Sequence, residues 1–351
     1  ARLAQPGEFT LRAFLNGRLD LAQAEAVADL VSAKTQAALR LASRQLEGHL
    51  SRRVGALRAG LLEVLAYLEA TIDFPEEDIP RRDVLPDLVC AREELAVLLR
   101  EAERGMIYRQ GVRAAIVGRP NVGKSSLLNA LLRADRAIVT EIPGTTRDTL
   151  EETMDLQGIP LVLVDTAGIG ETADVVERLG IERSRRSLQT ADLVLVVVDG
   201  SVPPCAEDVA VAGLAAGRPA LVVVNKSDLE QAADYTDLLP AAPHLHVSAL
   251  TGAGLSALEE AMAQMVLSGQ VVTDGESGAG PAFAGNPRHR LLFQRARDHL
   301  QEAIAACEGG LPEDLVSIDV AAAVQALGEV TGETASADLL ETIFSRFCIG
   351  K

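Results

Sequence analysis

Apolar residues fall along this chain in two different rhythms. From Leu46 they recur at steps of three and four: Leu46, Leu50, Val54, Leu57, Leu61, Leu65, Leu68 and Ile72. That spacing marks one face of a long helix. Leu85, Leu88, Val89, Leu95, Leu98 and Leu99 repeat the pattern and predict a second helix. The middle of the chain reads differently. Arg113-Ala114-Ala115-Ile116-Val117, Leu161-Val162-Leu163-Val164 and Ala220-Leu221-Val222-Val223-Val224 are short, almost unbroken apolar runs. Runs of that kind predict strands buried on both faces, as in a mostly parallel sheet. Helical spacing then returns in three stretches, Leu291/Arg295/Leu300/Ile304, Leu315/Ile318/Ala322/Leu327 and Leu339/Leu340/Ile343/Phe344/Phe347. Before them, Val271 to Pro287 is rich in Gly, Ser and Pro and reads as a linker.

Neither helical flank has enough elements to bury its own apolar faces. The economical solution is one helical domain built from both flanks, with the α/β module inserted as a unit. Domains accept insertion where a module's termini lie close together. This predicts a helical domain over residues 1–110 and 288–351, an α/β module over 111–268 and a linker over 269–287. No internal repeat is evident.

The chemistry enters at the strand ends. Gly118-Arg119-Pro120-Asn121-Val122-Gly123-Lys124-Ser125 joins the first strand to an amphipathic helix, Ser126-Leu127-Leu128-Asn129-Ala130-Leu131-Leu132. The GxxxxGK[ST] spacing turns several backbone N–H groups toward one point, and the helix N-terminus adds partial positive charge. Lys124 would reach the β/γ-phosphates, and the Ser125 hydroxyl would ligate Mg²⁺. A chance glycine turn would not carry the strand and the helix on its two sides. Thr145-Thr146-Arg147-Asp148 follows in a loop after Ile138-Val139-Thr140. Thr146 is the candidate second Mg²⁺ ligand, in the loop that senses the γ-phosphate. Asp165-Thr166-Ala167-Gly168 ends another strand. Asp165 would hold the Mg²⁺ shell through water, and the Gly168 N–H would meet the γ-phosphate.

Asn225-Lys226-Ser227-Asp228 ends a further strand. A carboxylate at Asp228 can accept from guanine N1–H and N2–H₂, a donor pair that adenine lacks. Ser248-Ala249-Leu250 ends the last strand, where a backbone N–H can meet the guanine O6. The candidate GTP-binding set is therefore Asn121, Val122, Gly123, Lys124, Ser125 and Ser126 in the first loop, and Thr140, Glu141, Ile142, Pro143, Gly144, Thr145 and Thr146 in the second. Asp165, Thr166, Ala167, Gly168, Asn225, Lys226, Asp228, Ser248, Ala249 and Leu250 complete it. Five motifs in order, each at a strand end, imply a Ras-like P-loop GTPase module in a chain of α/β plus all-α class.

Composition narrows the setting. The chain has 351 residues, enough for two domains. No apolar run reaches the length of a membrane span and no signal peptide opens the chain, so a cytoplasmic enzyme without membrane partners is expected. Cys90, Cys205, Cys307 and Cys348 are scattered without metal-ligand spacing and read as reduced thiols. With no Trp and a net charge of −17, a broad nucleic-acid-binding face is not expected. Arg288, His289, Arg290, Arg295 and Arg297 form a local basic cluster that reads as a solvated helix face.

Two segments outside the GTPase motifs are more specific. Arg12-Ala13-Phe14-Leu15-Asn16-Gly17-Arg18-Leu19-Asp20-Leu21-Ala22-Gln23-Ala24-Glu25-Ala26-Val27 and Ile72-Asp73-Phe74-Pro75-Glu76-Glu77 resemble the MnmE (TrmE) family of tRNA-modification GTPases. The terminal Cys348-Ile349-Gly350-Lys351 does so too, and the resemblance covers essentially the whole chain. It implies GTP hydrolysis. With the FAD-dependent partner MnmG, it implies installation of an aminomethyl-type group at C5 of the wobble uridine of certain tRNAs. The one-carbon unit would come from a tetrahydrofolate derivative. Members of the family begin with a folate-binding domain that forms the homodimer. This chain has no such domain, and residues 1–10 read as the end of its connection, so a fragment of a longer protein is expected. Arg18 and Lys351 correspond to family positions that contact the folate.

The resemblance also assigns catalysis. Many small GTPases place a Gln directly after the DTAG motif to orient the attacking water. Here that position is Ile169, which has no hydrogen-bonding group. In the family a glutamate further along this switch does the work, and the match Val175-Val176-Glu177-Arg178 makes it Glu177. Glu171 and Glu182 are its neighbours in sequence. No arginine finger is evident, and the family uses K⁺ in that place. Asn121 would supply it a side-chain oxygen, and Thr140, Ile142 and Thr145 further oxygens. The GTPase modules of the family dimerise face to face when this loop orders. Cys348 is a candidate for the modification chemistry, with a plain apolar role as its alternative. Two alternative functions stay open from the residues. One is a ribosome-assembly GTPase of the Era or EngA type, and the other is a slow GTP-binding scaffold switch.

Overall fold

Contacts divide the chain into two units, Ala1–Arg109 with Ala279–Lys351, and Gln110–Gly278. The computed structural model describes residues 2–74, 76, 79–134, 151–165, 188, 190–267, 281–334, 336–345, 347 and 350. The first described elements are α1 (Glu8–Leu15), α2 (Leu21–Ser32), α3 (Gln36–Leu46), α4 (His49–Asp73) and α5 (Leu85–Gln110). Then come β1 (Val112–Val117), α6 (Lys124–Ala134), β2 (Glu151–Leu156), β3 (Ile159–Asp165) and β4 (Leu193–Asp199). They are followed by α7 (Ala206–Ala215), β5 (Ala220–Asn225), β6 (His244–His246) and α8 (Leu255–Leu267). The last are α9 (Pro287–Glu308), α10 (Glu313–Thr331) and α11 (Ala337–Phe344).

The helices of the first unit start where short polar side chains cap them. Asp20 and Gln23 form a reciprocal capping box at α2, and Thr35 accepts from the Ala38 N–H at α3. Asn286 caps α9 by accepting from the His289 N–H at 2.7 Å. Gly48, at φ 81, separates α3 from α4. Leu46 therefore closes α3 rather than opening the long helix, because the left-handed turn breaks the apolar seam there. Leu50, Val54, Leu61, Val64 and Leu68 of α4 are buried together with Leu88, Leu95 and Leu98 of α5. The same core takes Leu292, Phe293, Leu300 and Ile304 of α9, with Val320 and Leu327 of α10. Segments before and after the α/β unit thus share one core, and each buried leucine contributes about 2 kcal/mol.

Three sequence expectations shift in this unit. Leu291, Leu315 and Ile318 are exposed, whereas Leu292, Phe293, Val316 and Val320 are buried. The buried faces of α9 and α10 are centred on Ala296, Ala303, Ala323 and Ala326, which admit close helix approach and carry no signal in a count of large aliphatics. The stretch read as a linker to Pro287 is packed in its described part, since Phe283, Ala284 and Asn286 are almost fully buried. Gly285 passes so close to α5 that a Cβ on it would lie 1.9 Å from the Ala102 carbonyl oxygen.

The second unit is a six-stranded sheet in the order β2-β3-β1-β4-β5-β6. β2 pairs antiparallel with β3 through a two-residue turn at Gln157 (φ 52) and Gly158 (φ 94). The other pairings are parallel. β1 lies between β3 and β4, with Ile116 opposite both Asp165 and Leu195. The carboxyl ends of β1, β3, β4 and β5 therefore come out on one edge, where open α/β sheets bind ligands.

Candidate functional site

The loop after β1 is shaped by contacts that exclude side chains at two glycines. A Cβ on Gly118 would lie 2.3 Å from the Val197 carbonyl oxygen of β4. One on Gly123, whose φ is 96, would lie 2.3 Å from Asn225 Nδ2. Between them Asn121 takes a left-handed conformation, φ 66, which Asn tolerates better than other side chains. Its carboxamide is exposed and has no hydrogen-bond partner among the described residues. α6 begins at Lys124, so Ser125 and Ser126 present exposed hydroxyls in its first turn. The buried Lys124 ammonium donates to the carbonyl oxygens of Gly118 and Arg119, both at 2.8 Å. Arg119 in turn donates from Nε to Asp208 Oδ1 of α7 at 3.1 Å.

A second loop is tied to the first by one buried carboxamide. Asn225, at the end of β5, donates from Nδ2 to the Val122 carbonyl oxygen at 2.8 Å. Its Oδ1 accepts from the Ala249 N–H at 3.0 Å. Asp228, three residues on, is exposed and accepts from the Ser248 hydroxyl at 2.5 Å. That hydroxyl also accepts from the Thr251 N–H at 3.1 Å, which fixes its orientation. Ser248 lies just beyond β6 and is fully buried, whereas Leu250 is 86% exposed. The first loop, the Asn225–Asp228 segment and the Ser248–Thr251 turn thus form one hydrogen-bonded assembly at the sheet edge.

Lys226 adopts φ 64 and donates to Asp199 Oδ2 at 2.5 Å. Burial alone would raise the Asp199 carboxyl, but hydrogen bonds from Lys226 and Ser201 outweigh it and hold the group below its ordinary value. The Tyr235 hydroxyl, shared between the Val202 and Asp199 carbonyl oxygens at 2.6 and 2.9 Å, closes this support. Asp199, Asp208 and Tyr235 were not singled out from the sequence. For Asp199, the signal was its position at the end of an apolar run, like Asp165.

Other expected site residues lie apart or outside the described residues. Thr140, Glu141, Ile142, Pro143, Gly144, Thr145, Thr146, Thr166, Ala167, Gly168, Glu177, Cys348 and Lys351 lie outside, as does the Asp165 side chain. Arg18 belongs to the helical unit. It lines a cavity of about 390 Å³ with Phe14, Asp20, Gln23, Thr331 and Glu333. Among the described residues no cluster of His, Cys, Asp or Glu is arranged to hold a metal ion by itself, and no helix is long and apolar enough to cross a membrane.

The basic cluster at the start of α9 is not a solvated face at Arg288 and His289. Arg288 donates from Nε and Nη2 to the buried Glu25 carboxylate at 2.9 and 2.7 Å, and to the Glu329 and Val330 carbonyl oxygens. His289 is fully buried, with Nε2 2.9 Å from Glu25. Burial alone would raise the Glu25 carboxyl, but His289 and Arg288 outweigh it and hold it below the usual carboxylate range. The same burial pushes the His289 imidazole below its ordinary value, against the pull of Glu25. Beside them, Asp29 accepts from Arg109 Nε at 2.6 Å, while its Oδ2 is buried without a partner among the described residues. Burial raises the Asp29 carboxyl to about 6 against the pull of Arg109, and the Glu25 charge adds to the rise.

Comparison with known proteins gives this geometry a context. Residues 21–348 match the family profile described as the MnmE helical domain. The tRNA modification GTPase MnmE of Roseiflexus castenholzii is 50% identical over 365 residues, covering 100% of this chain and 77% of that protein. The protein of the same name from Heliobacterium modesticaldum is 51% identical, with the same two coverages. A crystal structure of Aquifex aeolicus Era bound to GDP and AlF₄⁻ covers 55% of this chain at 26% identity. It is covered over 66% of its own length, with a TM-score of 0.34.

Proposed function

The chain belongs to the MnmE family of tRNA-modification GTPases, and from that premise we propose how its residues divide the work. The observation that best supports the reading is the Asn225 tie, which holds the phosphate loop and the Asp228 loop as one body. Such an assembly suits a ligand with phosphates at one end and a purine at the other. Asp228 receives guanine N1–H and N2–H₂, oriented by Ser248. Backbone N–H groups of residues 121–126 cradle the β-phosphate, and Lys124 exchanges its loop carbonyls for phosphate oxygens. Ala249 N–H, shared with Asn225, faces the guanine O6. Glu177 orients the attacking water in place of the glutamine that Ile169 replaces.

Two cations fit the donor set. Exposed hydroxyls open α6, and the Asn121 oxygen has no partner among the described residues; both are hard oxygen donors. Ser125 and Thr146, with Asp165 through water, would hold Mg²⁺, and Asn121, Thr140, Ile142 and Thr145 would hold K⁺. When bound, these ions supply positive charge against the phosphate oxygens as charge moves toward the leaving group. In the cytoplasm, and with the flavoprotein MnmG, the chain takes part in aminomethyl-type modification at C5 of the tRNA wobble uridine. Its GTPase modules pair during hydrolysis, and Arg18 with Lys351 contacts the tetrahydrofolate donor.

The test is GTP turnover in KCl against NaCl at equal ionic strength. Potassium should accelerate hydrolysis at least tenfold, and Asn121→Ala should abolish the difference. Glu177→Ala should slow hydrolysis at least tenfold with GTP affinity changed less than threefold. Indifference to the cation would remove the potassium site. An unchanged Glu177→Ala rate would assign the water to another group.

A further inference from the structure

The turn between α3 and α4 runs against the acidic balance of the chain. Residues 34–58 hold six Lys or Arg residues and a single carboxylate, Glu47, in a chain of net charge −17. Two of the six are consumed internally, since Arg53 pairs with Glu94 and Glu101, and Arg58 pairs with Glu333. Lys34, Arg40, Arg44 and Arg52 are exposed, and none has a carboxylate partner among the described residues. Arg40 and Arg44 stand one turn apart on the face of α3 opposite its buried residues Ala38, Leu41, Ala42 and Gln45. Their separation along the axis is about 6 Å. Arg52 folds over the α3–α4 turn, donating to the Glu47 carbonyl oxygen at 2.8 Å.

This turn is held firmly. Gln23 donates to the Leu46 carbonyl oxygen at 2.8 Å, and Gln45 donates to that of Ala22 at 2.9 Å. Gln23 also lines the Arg18 cavity. The basic turn and that cavity therefore meet at Gln23. Exposed guanidinium groups suit contact with phosphate oxygens, which position a nucleic acid without reading its sequence.

We propose that Arg40, Arg44 and Arg52, with Lys34 at the edge, form a phosphate-contacting surface for the tRNA beside the Arg18 cavity. The proposal rests on the reading of the chain as a tRNA-modifying enzyme. It is sharper than that reading, because it names the face of the helical unit that the RNA uses.

The test measures binding of an unmodified tRNA transcript to the full chain across a KCl series. The triple variant Arg40→Gln/Arg44→Gln/Arg52→Gln should weaken binding at least tenfold at moderate salt. It should also lower the slope of log affinity against log salt by about 2 to 3, the amount for three lost phosphate contacts. Its GTP turnover without RNA should equal that of the wild type, which reports an intact fold. The double variant Arg295→Gln/Arg297→Gln, on α9, should bind tRNA like the wild type. Equal binding by wild type and triple variant overturns the surface while leaving the tRNA reading intact. An equal loss in the double variant also overturns it, as a general charge effect. A wild type that turns over GTP but binds no tRNA at low salt overturns both. Retained tRNA binding with lost binding of a protein partner assigns the face to that protein.

Discussion

Replacing Asn225 with alanine removes one carboxamide and separates two loops that lie far apart in sequence. In the native structure its Nδ2 donates to Val122 and its Oδ1 accepts from Ala249. Val122 is fully buried, so its carbonyl loses its partner with no solvent to replace it, a cost of about 1–3 kcal/mol. Ala249 is only half-buried, and water can serve its N–H at a cost of about 0.5–1 kcal/mol. Together these predict a loss of about 1.5–4 kcal/mol for the loop assembly. If the nucleotide must restore that arrangement on binding, affinity falls by about 10- to 900-fold. Asn225→Asp should be worse than alanine, because it sets a carboxylate oxygen against the Val122 carbonyl in a buried position. The assay is titration with a fluorescent GDP analogue, paired with thermal unfolding. Affinity within threefold of wild type for Asn225→Ala, or an aspartate variant tighter than the alanine one, would refute the tie.

Two further predictions concern the framework. Gly285→Ala should destabilise the protein by at least about 2 kcal/mol, since the new methyl would meet the rigid Ala102 backbone. Gly213→Ala in α7, with nothing within 4 Å, should instead be neutral or stabilising by up to about 1 kcal/mol. Comparative thermal melts check both, and a melt unchanged by Gly285→Ala would contradict the close approach. Asp29 carries a pH signature. Its folded value, raised to about 6, lies above that of the unfolded chain, so its stabilising share is full below about pH 4 and is lost as pH rises through 6. A shift of about two units corresponds to about 3 kcal/mol. Asp29→Asn stays neutral and should therefore gain about that much relative to wild type between pH 4 and pH 8. Parallel stability curves for the two proteins would sink this reading.

The residues around the first loop were legible because their chemistry is local. Gly123, Lys124 and Ser125 sit within one turn of the strand–helix junction that gives them meaning, and Asn225 and Asp228 follow directly from the end of an apolar run. Chain connectivity alone brings each of these groups to the edge of a parallel sheet. The alternation of helical and strand rhythms likewise marked both units, since burial periodicity is a property of neighbouring residues.

What sequence could not show is which distant group each side chain meets. Asn225 reads as a guanine-motif residue, yet its two hydrogen bonds go to Val122 and Ala249. Arg288 and His289 read as a surface cluster, yet Glu25 draws both into the interior from the far end of the chain. The faces of α9 and α10 were misphased because alanines, which carry little hydrophobic signal, are what allow the helices to approach. The order of residues decided the elements and the glycine-rich loop after β1, because those depend on bonds between neighbours. The tertiary structure alone decided the partners, because a buried polar group is stable only where the whole fold delivers its complement.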